Sequence, residues 1–385
     1  MQYVLQSMLW VAIALVLYSY LIYPLLMTRL VRRVRSDTNN ELCVVSNPAP
    51  TVAVIVAAFN EEKHIAARVE NLLQQDYPID RIRILIGSDG SSDRTVRLAR
   101  SFADARVEVH DFQVNRGKAS VLNDLAARAS ADVLVFTDAN TVFRSDTVRR
   151  LVAALSDDTA AVCGELILEE PGKGSNQDHQ YWNIERRLKA AESAIGGLLG
   201  ANGGVYAIRR DVFAPLRPDT ICDDFIIAMN VAVAGKGLQY VPAAVAYEDT
   251  PSDVMAEFHR RVRIGIGNYQ ALFRHPRYLV GGSFVLSFTY FSHKVLRWLT
   301  PHLLIVVFVC SVLLARDSFY LWMAVLQALG YAAAAAAFAT RRRVRWPAVV
   351  QAALFFAVLN AAFLIGFKRF VFADYRGGWR RTERA

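Results

Sequence analysis

The sequence predicts an α/β domain with a doubly wound sheet, cytoplasmic and tethered to a membrane by transmembrane α-helices on both sides of it. Three observations carry this reading. Strand-length apolar runs alternate with helical patterns from Thr51 onward, two of the strands end in Asp-bearing turns, and the longest apolar stretches of the 385-residue chain lie outside that region. A hydrophobic content of 54% fits a chain that is partly in lipid.

The first apolar run, Tyr3 to Met27, is long enough to cross a hydrocarbon core of about 30 Å. No positive region precedes it and it is too long for the core of a signal peptide, so it reads as an anchor over residues 1–28. Arg29, Arg32, Arg33 and Arg35 follow at once. Positive charge stays inside, which places the N-terminus outside and makes residues 29–50 a basic cytoplasmic linker.

The central domain occupies residues 51–250. Thr51 to Ala58 is a β-branched and Ala run bounded by Pro48 and Pro50. A helical pattern (Ile65, Val69, Leu72, Leu73) leads to a second strand, Arg83 to Gly87, which ends in Ser88, Asp89 and Gly90. Thr95 to Ala103 is helical, Val107 to Asp111 a strand, Ala119 to Ala129 a helix, and Val133 to Thr137 a strand ending at Asp138. Such a sheet takes its ligands beyond the carboxyl ends of its strands, where Asp89 and Asp138 fall. The turn after the first strand lacks the Gly-x-Gly-x-x-Gly of a dinucleotide-binding domain, which excludes a hydride-transfer enzyme of that kind.

Residues 251–297 read as amphipathic interfacial helices, with Phe258, Val262, Ile266, Tyr269 and Phe273 forming one apolar stripe. Residues 298–371 hold about three further spans, near Leu299 to Leu314, Phe319 to Ala339 and Ala348 to Phe367, and 372–385 form a basic tail. Arg341, Arg342, Arg343 and Arg345 suit a cytoplasmic loop. Counting spans then puts the tail outside, against its Arg376, Arg380, Arg381 and Arg384. A tilted or re-entrant segment would reconcile the two, and the side of the C-terminus stays open at this point.

The net charge of +9 is met by these juxtamembrane arginines, whose partners are membrane lipids, so nucleic acid is not needed to explain it. Cys43, Cys163, Cys222 and Cys310 lack metal-ligand spacing and imply no disulfide framework. His179, His259 and His293 show no ligand pattern, and Trp182 reads as a packing residue more readily than a stacking one.

Six ordered motifs remain: Ala58-Phe59-Asn60-Glu61, Asp89-Gly90-Ser91-Ser92-Asp93, Asn115-Arg116-Gly117-Lys118, Thr137-Asp138-Ala139-Asn140, Asp223-Asp224, and Arg260 to Arg263. In this order and spacing, from about Thr51 to about Arg274, the chain resembles the membrane-bound family 2 glycosyltransferases of the GT-A fold, the group of cellulose, chitin and hyaluronan synthases. The resemblance implies an inverting transfer of a sugar from a nucleotide carrier, most simply a UDP-sugar, forming β-glycosidic bonds. The product would be a cell-surface or extracellular polysaccharide made at the inner membrane.

It also implies roles. Asp89, with Asn60 and Glu61 beside it, would contact the nucleoside, and Lys118 and Arg116 would supply cationic donors for a diphosphate or base. Asp138 and Asn140 stand where the family carries Asp-x-Asp for a Mg²⁺ or Mn²⁺ ion, a hard cation that prefers oxygen ligands. Asp224 would be the base that takes the acceptor proton, with adjacent Asp223 the second carboxylate. Arg260 and Arg263, three apart on one helix face, would clamp the diphosphate. Asn202 and Gly203 fall where relatives hold the acceptor terminus. Ile264 replaces the Trp that processive relatives carry, which leaves two acceptors open: a growing glycan, with a homo-oligomer or export partner completing its path, or a lipid-linked acceptor that receives a single sugar. A non-catalytic membrane binding protein is the reading from another class, and retention of both Asp138 and Asp224 weighs against it.

Overall fold

Two helical segments open the chain, α1 (Gln2–Leu17) and α2 (Tyr23–Val34), joined by a π-helical turn at Tyr18–Ile22. The computed structural model describes residues 1–34, 48–169, 176–249, 254–341, 344 and 346–372. Most of the basic linker, three of the four loop arginines and the basic tail lie outside the described residues, as do the side chains of His179 and Trp182.

The domain winds as β1 (Val52–Ala58), α3 (Ile65–Leu73), β2 (Ile82–Asp89), α4 (Thr95–Arg100), β3 (Val107–Phe112), α5 (Lys118–Arg128) and β4 (Val133–Asp138). The four strands pair in parallel in the order β3-β2-β1-β4. The unbroken apolar run of β1 explains its central place. Successive side chains point to opposite faces, so Ala53, Ile55 and Ala57 enter the core under α5 while Val52, Val54 and Val56 enter the core under α3.

Past β4 come β5 (Thr141–Phe143), α6 (Thr147–Ala153), β6 (Thr159–Glu169), α7 (Asn176–Ala194), β7 (Tyr206–Arg209), α8 (Asp223–Val233) and β8 (Gly237–Asp249). The finished sheet has eight strands in the order β3-β2-β1-β4-β7-β6-β8-β5. β7 is antiparallel to both β4 and β6, and β5 to β8, while β6 and β8 pair in parallel, so the α/β class holds with a mixed sheet that is wholly parallel in the half that the strand and helix alternation marks.

The chain then forms α9 (Val254–Arg274), α10 (Arg277–Val280), α11 (Phe284–Thr289), α12 (Leu296–Leu313), α13 (Ser318–Thr340) and α14 (Ala348–Val371). Among the described residues, four helices are long and apolar enough to cross a bilayer: Gln2–Leu30, Phe284–Leu313, Ser318–Thr340 and Val349–Val371. The second begins well before 298, because α11 continues through a π turn at Tyr290–Val295 into α12. That segment carries His293 and Arg297, the first buried and the second half-buried against carboxylates of α7. His293 bonds Glu192 at 2.6 Å and Glu185 at 3.2 Å, Arg297 pairs with Glu185 at 2.5 Å, and the Tyr23 hydroxyl donates to Glu192 at 2.7 Å. Burial alone would raise the pKa of Glu185, but His293 and Arg297 outweigh it and hold it well below the usual range. This network fastens α7 to the membrane helices.

The core under α5 and α8 runs on into the membrane helices: the Phe225 ring packs between Tyr278, Tyr290 and Trp298, with centroids 5.9 to 6.3 Å apart. The stripe on α9 also differs from its expected role. Val262, Ile266 and Tyr269 are buried, with Tyr269 against α12 and α14, so most of the stripe meets protein where lipid was expected.

Candidate active site

Three turns meet past the carboxyl ends of β1, β2 and β4. Asn60 has a left-handed backbone (φ 55). Its N–H donates to Ser91 Oγ at 3.0 Å, its Oδ1 accepts from the Ser92 N–H at 2.9 Å, and the Glu61 N–H donates to Thr95 Oγ1 at 2.8 Å. The first turn is thus stitched to the Asp89–Asp93 turn. Gly90 has φ +71, and a Cβ there would lie 2.8 Å from the Asn115 nitrogen, so no other residue fits this crossing without strain.

Asp89, expected beside the nucleoside, is bonded to the backbone of the next turn. It is fully buried, and its two oxygens accept the amides of Arg116 and Gly117, each at 2.8 Å. It fixes the turn that starts α5 and thereby aims Lys118.

Lys118 reaches across the strand ends to Asp138 Oδ1 at 2.9 Å and Asp223 Oδ2 at 3.1 Å. Burial penalises its ammonium, but Asp138, Asp223 and Asp224 together outweigh burial and hold its pKa above the ordinary lysine value. Asp223 and Asp224 begin α8, where exposed N–H groups and the helix dipole favour negative charge. Asp224 Oδ1 accepts from the Phe225 N–H at 2.8 Å. Burial and the neighbouring Asp223 push the Asp224 carboxyl up to about 6, against the pull of Lys118. Gly203 lies beside it: a Cβ at that position would stand 3.2 Å from Asp224 Oδ2.

Other expected residues are placed less directly. The Asn202 side chain is engaged on both ends, donating to the Gly164 carbonyl at 2.7 Å and accepting from Lys189, so of the pair it is Gly203 that borders the carboxylate. Arg260 is held by Glu257 at 2.7 and 3.0 Å. Arg263, one turn on, lies within electrostatic reach of Cys222, the residue before Asp223. The helix itself is tight on this turn: a Cβ at Gly267 would fall 2.5 Å from Cys222 Sγ. Burial and the two aspartates raise the Cys222 thiol above its ordinary value, which keeps it protonated and unreactive.

Two residues escaped the sequence reading. Arg68 is 2% exposed, donates to Thr137 Oγ1 at 2.6 Å and lies 4.2 Å over the Phe143 ring. Thr137 passes the link on to the Gly204 carbonyl at 2.7 Å, so a buried cation braces both the Asp138 strand end and the glycine turn beside Asp224. The signal was an arginine on the core-facing stripe of Ile65, Val69 and Leu72. Glu248, next to last in β8, has its carboxylate 3.5 Å from the Asn140 amide. An acid at a strand end was its only mark.

Three carboxylates, Asp138, Asp223 and Asp224, converge on one ammonium. A diphosphate brought here adds further negative charge, so the donor set suits a divalent cation of the Mg²⁺ or Mn²⁺ type. Among the described residues no group of three or more His, Cys, Asp or Glu side chains forms a ready cage. Mg²⁺ ordinarily takes one or two carboxylates and completes its shell with phosphate oxygens and water, and Asp138 with the Asn140 oxygen fits that mode.

Residues 53–216 match the family model described as Glycosyl transferase family 2. Among curated proteins, the chain is 27% identical over 255 residues to an N-acetylglucosaminyltransferase of Rhizobium leguminosarum bv. viciae, covering 60% of this chain and 58% of that one. It is 24% identical over 251 residues to the poly-beta-1,6-N-acetyl-D-glucosamine synthase of Staphylococcus aureus (strain COL), covering 63% and 60%. The chain therefore spans about three fifths of the length of these curated relatives. Among solved structures, a mannosyltransferase from Pyrobaculum calidifontis in complex with GDP-Man and Mn²⁺ has the same fold, with a TM-score of 0.73 over 96% of this chain and 100% of that one at 21% identity.

Proposed function

We propose, from the premise that residues 53–216 form a family 2 glycosyltransferase domain, that this chain transfers N-acetylglucosamine from UDP-N-acetylglucosamine to a glycan acceptor and builds a β-linked polysaccharide. The observation that carries the reading is the bridge of Lys118 between Asp138 and Asp223, with Asp224 and Gly203 beside it. The sugar and the polymeric product are taken from the named relatives, an N-acetylglucosaminyltransferase and a poly-β-1,6-N-acetylglucosamine synthase.

The donor lies over the strand ends with its diphosphate toward Lys118 and Arg263. Asp138 and Asn140 would hold the metal ion, which supplies charge neutralisation at the departing diphosphate. Asp224 accepts the proton of the acceptor hydroxyl as that oxygen attacks the anomeric carbon. The bond from that carbon to the diphosphate breaks on the opposite face, UDP leaves with the electron pair, and the α-linked donor becomes a β-linked product. Gly203, having no side chain, leaves room for an acceptor sugar beside the base. The catalytic domain faces the cytoplasm, where nucleotide sugars are made, and the N-terminus lies outside.

A base poised near 6 gives a pH dependence. Asp224 must be ionised to act, so kcat/KM falls about tenfold per pH unit below about 6 and levels off above it. Asp223→Asn removes a negative neighbour, which moves this limb to lower pH. Both follow from initial rates between pH 5 and 8, and a limb that Asp223→Asn leaves in place removes the pairing from the account.

Ile264 supports a second reading, a single sugar added to a lipid-linked acceptor. Purified protein with Mn²⁺ or Mg²⁺ and a panel of UDP-sugars separates the two through UDP release and product size. Polymer from UDP-N-acetylglucosamine alone establishes a synthase. Release only with added lipid acceptor establishes the single-sugar enzyme, and indifference to every UDP-sugar rejects both.

A further inference from the structure

We infer that α14 does not cross the bilayer but lies along α9 on the catalytic side of the membrane, so that the chain continues past Val371 on the same side as the catalytic domain. Composition alone makes α14 a fourth span. Its neighbours say otherwise.

The two helices run side by side in the same direction. Arg261 stacks over Phe355 at 4.9 Å, Gly265 meets Ala362 and Phe363, and Gly366 abuts Gly265 so closely that a Cβ would fall 3.0 Å from its carbonyl carbon. Farther on, the rings of Tyr269 and Phe367 are 5.0 Å apart and those of Phe273 and Phe370 5.6 Å. Residues 355–370 of α14 therefore share the depth of residues 261–273 of α9. That helix carries Arg260, Arg261 and Arg263 and packs on Cys222 at the candidate active site, which fixes it at the domain side and outside the hydrocarbon centre.

The far side of the bundle supplies an independent argument. Leu9, Cys310, Leu314 and Tyr320, from α1, α12, the turn after it and α13, form a cluster there, with Leu5, Ile13, Val306 and Met323 packed on it and, among the described residues, none from α14. The last turns of α14 meet α12 at His302, ring to ring at 4.7 Å with Phe367, roughly 12 residues or ~18 Å short of the Leu314 end. At its start, Trp346 donates to Thr340 Oγ1 at 3.1 Å, a tryptophan of the kind that marks a headgroup boundary. With α14 on one side, the conflict between span count and positive charge in the sequence disappears.

The test uses single cysteines in the full-length protein, labelled in spheroplasts with a membrane-impermeant maleimide and read against the unsubstituted chain. Ala105→Cys reports the domain side, Arg316→Cys in the α12–α13 turn the far side, and Thr382→Cys the tail. The expected result is that Thr382→Cys follows Ala105→Cys, whichever side that proves to be, so a wrong assignment of the catalytic domain to the cytoplasm leaves the inference standing. Labelling that follows Arg316→Cys overturns it. A C-terminal fusion to a fluorescent protein that matures only in the cytoplasm is the second measurement: with the domain cytoplasmic it fluoresces, and a dark, full-length fusion makes α14 a crossing helix.

Discussion

Asp224→Asn is expected to lower acceptor-dependent UDP release by about 10³, within the range that a positioned base contributes, while leaving the fold and donor binding in place. Asparagine keeps the shape of the side chain and an oxygen for the Phe225 N–H, so α8 retains its first turn. What it loses is the ability to take a proton. It also removes the negative charge that helps hold the Lys118 ammonium, yet Asp138 and Asp223 still contact that lysine directly. Donor affinity measured by calorimetry in the presence of metal should therefore change little beside the loss in turnover. An Asp224→Asn enzyme that keeps rates within a few-fold of the parent would move the base elsewhere, and Asp223 is the next carboxylate in line. The companion variant Asp223→Asn differs in kind, because it breaks a bridge to Lys118 and shifts the pH limb without removing the base.

Much of this site was legible because its residues fall at strand ends that the sequence marks by pattern. The parallel half of the sheet is written in a regular exchange of apolar strand and amphipathic helix, so Asp138 could be placed from the chain alone. The mixed half is not. β5 has three residues, and β6 is interrupted by Cys163, Gly164 and Glu165, so neither shows a clean period. Asp89 shows a second limit. Its place in a motif was plain, but whether a carboxylate faces a ligand or the backbone of the next turn depends on where residues Arg116 and Gly117 come to rest, a contact 27 and 28 positions away. Arg68 was invisible for a related reason: a charged residue within an apolar helix face is read as an interruption until Thr137 and Phe143 are seen around it. The membrane half shows the same limit. His293 and Arg297 pair with Glu185, more than 100 positions earlier in the chain, on a helix whose packing no local pattern reports.

Chelation is expected to abolish turnover, by more than about 10², with Mn²⁺ or Mg²⁺ restoring it. The reasoning is electrostatic. Asp138, Asp223 and Asp224 set three negative charges against the single Lys118 ammonium and the Arg68 guanidinium behind it, and a diphosphate brings further negative charge to the same place. Without an added cation the donor is repelled where its leaving group must settle. Asp138→Asn tests the same point without a chelator, since it leaves two amides where the family carries two carboxylates. It should raise the metal concentration needed for half-maximal rate by tenfold or more, and Mn²⁺ binding in the presence of UDP, followed by electron paramagnetic resonance, should weaken in parallel. A parallel shift ties the kinetic loss to the ion itself, which a merely disturbed strand end would not do. Full activity in excess EDTA would take Asp138 out of the metal role and leave the leaving group to Lys118 and Arg263. Lys118→Met would then be the more damaging substitution, because it would remove the cation that already sits between the carboxylates.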